Sequence, residues 1–286
     1  MEVTPTATHV GPFGRPGFLD VLHRHWPRGT VESLDDGDGG ASVEVVEGVA
    51  MGVGHRDLVD YRSPRGPSGV EVLVRLVGDR PVRIDSLPGE LADSLADALR
   101  ASGRDVTTQE QDVAAVLTLP GSFDEWLASI GKKERHETRR KRRRYEELVG
   151  PARIARFEDD ADRLSEFVAL HRTSAGEKGA FMTDAMADYF ADVMALEGWG
   201  LDAILTPDGA MAAAGLSFHG DDGYYLYNSA FDRSFWEASP GVVLIASLIE
   251  FAIEEGQMLF DFLKGDEPYK FRLGAEPRPL FEVASP

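Results

Sequence analysis

Residues 228–272 read NSAFDRSFWEASPGVVLIASLIEFAIEEGQMLFDFLKGDEPYKFR, and they predict the end of a strand, a short loop, a buried helix and a second strand. The Ser-Pro-Gly at 239–241 is typical of a helix start, because serine is a good N-cap and proline is favoured at the first helical position. The helix is apolar nearly all round as far as Glu255, which predicts that it is buried. The strand at 258–263 follows at once.

The start of this helix is a candidate anion site. The first N–H groups of a helix lack intrahelical partners and carry about half a positive charge, so they suit a phosphate. On residues 239–241 alone, an ordinary helix start is the simpler interpretation. The order of the elements around them favours a phosphate site.

Composition limits the classes of function. The chain has 286 residues and 43% hydrophobic residues, enough for two domains with ordinary cores. It has no apolar run of 18 residues, and its first residues lack the pattern of a signal peptide, so we expect a cytoplasmic protein without a membrane span. Cysteine is absent, and the seven histidines show no HExxH-type spacing, so we expect no disulfide and no metal site.

The charge is unevenly spread. A net charge of −19 disfavours general binding to nucleic acid or to anionic membranes. The segment from Lys132 to Arg144, KKERHETRRKRRR, nevertheless holds nine Lys/Arg and two Glu. Such a run is usually a solvated helix face. Its density in an acidic chain also favours a phosphate-rich ligand, RNA, or pairing with the acidic surface.

The first 120 residues predict an α/β region without recognisable chemistry. After a loose lead-in we expect helices at 16–26 and 91–100, and strands at 30–34, 43–46, 70–77, 81–85 and 112–119. From Ser122, a capping box opens a helix, and the basic helix follows it. Beyond 151 the predicted order is β-α-α-β-β-β-α-β and then a tail, with Asp160 and Thr183 capping the first two helices.

This order resembles the GNAT acyltransferase fold, and AFDRSFWEASPGVVL and FDFLKGDEPYKFRLG resemble the CelD-like acetyltransferase family, a relative of the Fem-type aminoacyl-tRNA-dependent peptidyltransferases. The resemblance covers residues 120–286 well and the first half loosely. It implies an α/β (α+β) GNAT fold with a mixed central sheet flanked by helices, in two GNAT-like halves. The implied domains are a degenerate N-terminal half at 1–120, a basic helical connector at 121–150 and an acyltransferase domain at 151–286.

The resemblance implies an N-acyltransferase that uses acetyl-CoA or another acyl-CoA as co-substrate, with no metal. The acceptor would be a small-molecule amine or a cell-envelope or polysaccharide precursor. Two alternatives stay open. One is a Fem-like transferase that binds tRNA through Lys132–Arg144, since SPG replaces the longer phosphate loop of ordinary GNAT enzymes. The other is a binding module with the same fold and no turnover.

Twelve candidate site residues follow from the resemblance and from their chemistry. For the cofactor they are Tyr227, Asn228, Ser239, Pro240, Gly241 and Val242. For catalysis they are Asp266, Glu267, Tyr269 and Lys270, as base, proton donor or phosphate ligand. For substrate binding they are Asp261 and Arg272. The alternative for each is a structural role: Tyr269 as a core aromatic, Asp261 as a loop-holding carboxylate and Lys270 as a solvent-exposed cation.

Overall fold

The computed structural model describes residues 10–174, 176–221 and 223–286, so most of the predicted lead-in lies outside the described residues. The helices are α1 (Pro16–His25), α2 (Gly69–Val77), α3 (Gly89–Ala101), α4 (Phe123–Ser129), α5 (Lys132–Leu148), α6 (Ala161–Arg172), α7 (Glu177–Phe181), α8 (Asp184–Met194), α9 (Pro240–Glu254) and α10 (Pro268–Arg272). The strands are β1 (Thr30–Asp35), β2 (Gly40–Val46), β3 (Val49–Met51), β4 (Val82–Pro88), β5 (Thr107–Thr118), β6 (Ile154–Phe157), β7 (Trp199–Leu205), β8 (Met211–His219), β9 (Tyr224–Phe231), β10 (Leu259–Lys264) and β11 (Glu276–Ser285).

All eleven strands form one mixed sheet in the order β1-β2-β3-β4-β11-β5-β10-β9-β8-β7-β6. Strands β6 to β9 are antiparallel neighbours, whereas β10 runs parallel to β9. A parallel pair needs a crossover, and the buried helix α9 supplies it. The predicted mixed sheet flanked by helices is therefore confirmed.

The last strand of the chain crosses into the first half of the sheet. β11 lies between β4 and β5 and is antiparallel to both, while β5 pairs with β10 on its other edge. The sequence predicted only a tail here, because Pro277 and Pro279 weaken any strand pattern. That prediction was wrong: a strand from the end of the chain fills the place between two strands of the first half, and β5 and β10 pair across the two halves.

A second difference lies at 70–77, which forms helix α2 and not the predicted strand. Its β-branched residues favour a strand. However, Val72, Leu73 and Val77 are buried while Glu71 and Arg75, four residues apart, are exposed, which is a helical period. The strand β3 and the short helices α7 and α10 were not predicted.

The sheet opens between β9 and β10. The two strands pair only at Tyr224 with Phe260 and at Tyr225 with Asp261, and beyond these pairs no register joins them. The neighbouring pair β8–β9 carries a bulge at the same level, where Leu216 faces Asn228 and Ser217 faces Leu226. Tyr227 is the extra residue of this bulge, which re-aims side chains at the opening.

Hydrophobic cores cover the two faces of the sheet. Successive residues of a strand point to opposite faces, and Tyr224 and Leu226 belong to the core under α9, whereas Tyr225 belongs to the core under α1, α6 and α8. The opening between β9 and β10 can therefore be reached from two sides. Within the described ranges, no helix combines the length and the apolar character needed to cross a bilayer.

Candidate functional site

A groove of about 780 Å³ lies on the α9 face of the sheet, beside the opening. We call it the α9 groove. Its lining residues come from α5, β9, the loop before α9, the first turn of α9, and α10: Lys133, Glu134, Glu137, Thr138, Lys141, Ser229, Phe231, Trp236, Ser239, Pro240, Gly241, Val242, Ile245, Tyr269, Arg272 and Leu273. Six of the twelve candidate residues are among them.

The first turn of α9 presents a free backbone donor to this groove. Ser239 has a left-handed backbone (φ 58°, ψ 49°), and its side chain caps no N–H group, so the predicted side-chain N-cap is wrong. Its carbonyl accepts from the N–H groups of Val242 and Val243 at 3.1 and 3.2 Å. Pro240 has no N–H, and the N–H of Gly241 has no partner among the described residues. That N–H is available to an anion.

Three cations flank this donor. Lys133 and Lys141 line the α9 groove from α5, and Arg272 lines it from α10. Arg272 Nε lies 3.5 Å from Glu134 Oε1, and Arg144 Nη2 lies 3.8 Å from Glu237 Oε2. A helix rises 1.5 Å per residue, so the groove follows α5 for about 12 Å, from Lys133 to Lys141. The arrangement suits an elongated anionic ligand.

Trp236 stands at the loop end of the α9 groove. Its side chain is 70% exposed, whereas Trp126 and Trp199 are buried in the cores. An exposed indole is unusual, because burial of its large apolar area stabilises a protein. Beside cations it offers a flat surface on which an aromatic ring can stack. Sequence reasoning did not single out this residue.

A second space, of about 550 Å³, borders the same opening from β9 and the end of β10, next to aromatic residues of the opposite core. We call it the Asp60 cavity. It is lined by Arg56, Asp57, Leu58, Asp60, Asp112, Phe181, Phe190, Tyr227, Asn228, Lys264 and Gly265. Two candidate cofactor residues, Tyr227 and Asn228, lie here and not in the α9 groove.

The side chains of Tyr227 and Asn228 are held by hydrogen bonds. The hydroxyl of Tyr227 donates to the carbonyl of Leu58 at 2.8 Å and lies 2.9 Å from the hydroxyl of Tyr189. Asn228 Oδ1 lies 2.9 Å from Nε2 of the buried His171. These contacts hold both side chains in the wall of the Asp60 cavity. The backbone of β9 lies at the opening.

Four candidate residues line neither space. Lys270 is buried, and its ammonium donates to the carbonyls of Leu263, Lys264 and Gly265 and pairs with Glu267 at 2.9 Å. The alternative of a solvent-exposed Lys270 is therefore wrong, since its ammonium holds the loop after β10; the catalytic role stays a prediction. Asp266 is exposed on that loop.

Asp261 is enclosed in the sheet. It accepts hydrogen bonds from the hydroxyl of Tyr61 at 2.6 Å and from the N–H of Leu263 at 2.7 Å. Burial raises the pKa of Asp261 to about 6, although both hydrogen bonds oppose that rise. The contacts are those of a loop-holding carboxylate.

The structure adds one acidic residue that sequence reasoning missed. Asp60 is half-buried at the inner end of its cavity, and Oδ1 accepts the N–H of Lys264 at 2.9 Å. Burial raises the pKa of Asp60, and the charge of Lys264 opposes this rise. Its sequence surroundings, LVDYR, carry no motif. The only signal was the polar-aromatic character of residues 55–62.

Comparison with known proteins agrees with this geometry. Residues 132–271 match the family described as acetyltransferase (GNAT) domain. The match covers just under half of the chain, and it makes this region similar to a GNAT domain. The matched region includes α5, β9, α9 and all of α10 except Arg272, which are the elements that form the α9 groove. No curated protein matches the sequence.

Solved structures extend the likeness beyond the region that the family matches. FemX is similar with a TM-score of 0.66 and 14% identity, over 99% of this chain and 97% of FemX. L-PGS from Bacillus licheniformis is similar with a TM-score of 0.63 and 13% identity, over 96% and 93% of the two chains. A conserved protein of unknown function from Bacteroides thetaiotaomicron VPI-5482 has a TM-score of 0.64 and 13% identity, over 96% and 91%. At these identities the likeness shows the fold.

Proposed function

We propose that the protein is an N-acyltransferase that moves an acetyl or other acyl group from coenzyme A to an amine. One observation carries this proposal: the α9 groove brings together, in one continuous space, an unpaired helix N–H, three cations and the part of β9 that has separated from β10. Phosphates bind at such helix starts. The open edge of β9 then offers backbone groups to the thioester-bearing arm of the donor.

Tyr269 is our candidate for the proton donor to the departing thiolate. Its ring lines the α9 groove, and burial raises the pKa of its hydroxyl to about 12. The hydroxyl therefore keeps its proton at neutral pH and can give it to a sulfur on which negative charge develops. Arg272, in the same groove, is placed to bind a phosphate or a carboxylate. Asp266 and Glu267 remain predictions for the base.

Two finer assignments belong to the same proposal. We propose that the chain is a CelD-like acetyltransferase, on the residues of β9, α9 and β10 that carry that resemblance. We also propose the division into a degenerate half at 1–120, a basic connector at 121–150 and an acyltransferase domain at 151–286. The pairing of β5 and β11 across this division implies that the parts fold together.

Binding and turnover can be measured separately. We expect coenzyme A and acetyl-CoA to raise the melting temperature, since a ligand at about 100 times its dissociation constant adds about 2.7 kcal/mol. Turnover with a panel of primary amines is then followed with a thiol reagent. The chain contains no cysteine, so the protein itself gives no background. Binding without thiol release from any amine would favour the binding module, and absence of binding would contradict the CoA assignment.

A Fem-like transferase is the second candidate, and the exposed face of α5 favours it. Lys132, Lys133, Arg139 and Arg143 are exposed there, and FemX shares the fold. Total tRNA should then shift the melting temperature, with an affinity that falls steeply as salt rises, because each phosphate contact releases counterions. A shift with tRNA and none with CoA would decide for this candidate.

Trp236 should contribute to donor affinity by stacking on the base of the nucleotide. We expect Trp236→Ala to raise the Kd of coenzyme A by roughly 5- to 150-fold, since base–aromatic stacking is worth about 1–3 kcal/mol. The measurement is isothermal titration calorimetry. The Kd of pantetheine, which lacks the nucleotide, should not change.

Two comparisons sharpen the Trp236 test. Trp236→Phe keeps a stacking ring and should restore most of the affinity. Trp236 is the most exposed tryptophan of the described residues, so coenzyme A should quench wild-type fluorescence and quench the Phe variant far less. Equal losses of affinity for coenzyme A and pantetheine in the Ala variant would mean that Trp236 shapes the loop and does not bind the base.

A further inference from the structure

We propose that the Asp60 cavity is the acceptor site, and that it binds a compact primary amine as its ammonium form, on the carboxylate of Asp60 and against aromatic rings. The reaction at this site rests on the proposed acyl transfer, whereas amine binding does not. The N-terminal half thereby gains a role that its sequence did not reveal.

The position of the cavity is the first argument. Asn228 lines the Asp60 cavity, and its neighbour Ser229 lines the α9 groove. Adjacent Cα atoms lie 3.8 Å apart, so the two spaces adjoin across β9 where β9 and β10 separate. A nucleophile in the cavity can therefore meet a thioester that enters from the groove.

The second argument is the free oxygen of Asp60. Oδ1 accepts the N–H of Lys264, and in the described part of the chain Oδ2 has no hydrogen-bond donor. The Lys264 ammonium is already committed to the carbonyls of Arg56 and Val59, both at 2.9 Å, and to the hydroxyl of Ser86 at 2.7 Å. An ammonium group from a ligand would supply the missing donor.

The other charged residues around the cavity do not occupy Oδ2 of Asp60. Asp112 is paired with Arg56, and Asp57 lies at the exposed edge, near His55. Lys264 and, more remotely, Lys270 act on Asp60 through their charges, and Asp112 opposes them. Asp60 is therefore the carboxylate that combines partial burial, an open oxygen and contact with the cavity.

The aromatic wall defines the rest of the ligand. Phe181, Phe190 and Tyr227 line the same space, together with Leu58. Aromatic faces attract ammonium groups and also bury apolar carbon. A volume of about 550 Å³ admits a molecule of modest size. The chemistry thus fits a small primary amine that carries an apolar or aromatic group.

The transfer step balances with groups already described. In this proposal Asp60 is the base in place of Asp266 and Glu267: it takes one proton from the ammonium, and the freed amine nitrogen attacks the thioester carbon. The C–N bond forms, the C–S bond of the tetrahedral intermediate breaks, and the thiolate receives a proton from Tyr269. The second proton lost by the nitrogen restores Tyr269 through solvent, and the proton on Asp60 passes to solvent, so the products are an amide, free coenzyme A and one proton.

Amine binding is tested without any donor, by calorimetry with 2-phenylethylammonium, butylammonium and spermidine. We expect at least one to bind, and Asp60→Asn to weaken it by about 10- to 150-fold, as for the loss of a charged hydrogen-bond partner. The Asn side chain still accepts the N–H of Lys264. The matched control, Asp79→Asn in the exposed turn after α2, should bind as wild type does. The Kd of coenzyme A should be unchanged in both variants.

A second variant tests the aromatic wall without touching a buried group. Phe181 is partly exposed, and Phe181→Ala should weaken the binding of 2-phenylethylammonium more than the binding of butylammonium. Amide formation should lose kcat/KM in Asp60→Asn with an altered pH profile. The proposal is overturned if no amine of the panel binds, or if Asp60→Asn leaves amine affinity unchanged. Loss of coenzyme A binding in wild type would instead count against the donor assignment alone.

Discussion

Replacing Gly241 with tryptophan is expected to weaken coenzyme A binding by about 10- to 150-fold, since one charge-assisted hydrogen bond is worth about 1.5–3 kcal/mol. Gly241 is the second residue of α9 and offers the unpaired N–H of its first turn. A Cβ placed there would lie 3.1 Å from Cδ1 of Phe231, across the α9 groove. A tryptophan side chain must therefore either displace Phe231 or enter the groove, and both keep a phosphate from the helix start.

Calorimetry with coenzyme A measures this effect, and two further variants interpret it. Gly241→Ala adds only the Cβ and should have a much smaller effect. Leu148→Trp places the same large side chain on an exposed site at the end of α5, outside the groove, and should leave the Kd unchanged. If Gly241→Trp keeps wild-type affinity and a wild-type melting temperature, the phosphate does not bind at this helix start.

Replacing Asp202 with alanine is expected to destabilise the protein by about 3–5 kcal/mol, the usual cost of breaking a buried ion pair. Asp202 is fully buried on β7 and accepts from Arg156, Ser217, His219 and Tyr224, with Arg156 Nη1 at 3.1 Å and the Tyr224 hydroxyl at 2.8 Å. Without it, a largely buried guanidinium and two buried hydroxyls lose their acceptor. The melting temperature should fall on the order of 10 °C.

The pH dependence identifies the charge of Asp202 as the cause. Burial alone would raise the pKa of Asp202, but the hydrogen bond from His219 and the charge of Arg156 outweigh it and hold that pKa below its ordinary value. The stabilisation is then complete above the unfolded pKa, about 4, and is lost as the pH falls through the lower folded pKa. The difference in melting temperature between the wild type and Asp202→Ala should therefore become smaller at acid pH. Asp79→Ala, in the exposed turn after α2, is the control and should change little.

Short-range patterns predicted the elements that form the α9 groove. The Ser-Pro-Gly at 239–241, the apolar run after it and the following strand predicted the crossover β9-α9-β10, which the structure contains. The capping residues Ser122, Asp160 and Thr183 accept the hydrogen bonds expected of them. These predictions succeed because caps, turns and apolar periods are set within a few residues of one another.

The same reasoning failed wherever distant parts of the chain meet. Asp60 gains its surroundings from Lys264, which follows it by about 200 residues, and no local pattern marks either residue as a partner. Nothing in the sequence around Lys270 indicates burial. In the structure its side chain is buried, and its ammonium donates to three carbonyl groups at the end of β10 and in the loop after it. Burial and partnership are properties of packing, and sequence spacing does not report them.

The sequence by itself therefore determined the α/β character of the chain, the helix start at 239–241, the dense cations of α5 and the absence of cysteine. These follow from composition and from contacts within one or two turns of the chain. Tertiary structure alone decided that β11 enters the middle of the sheet and that the N-terminal half supplies the carboxylates of the Asp60 cavity. It also decided which candidate residues line the same groove or cavity, because side chains from both halves meet where β9 and β10 separate.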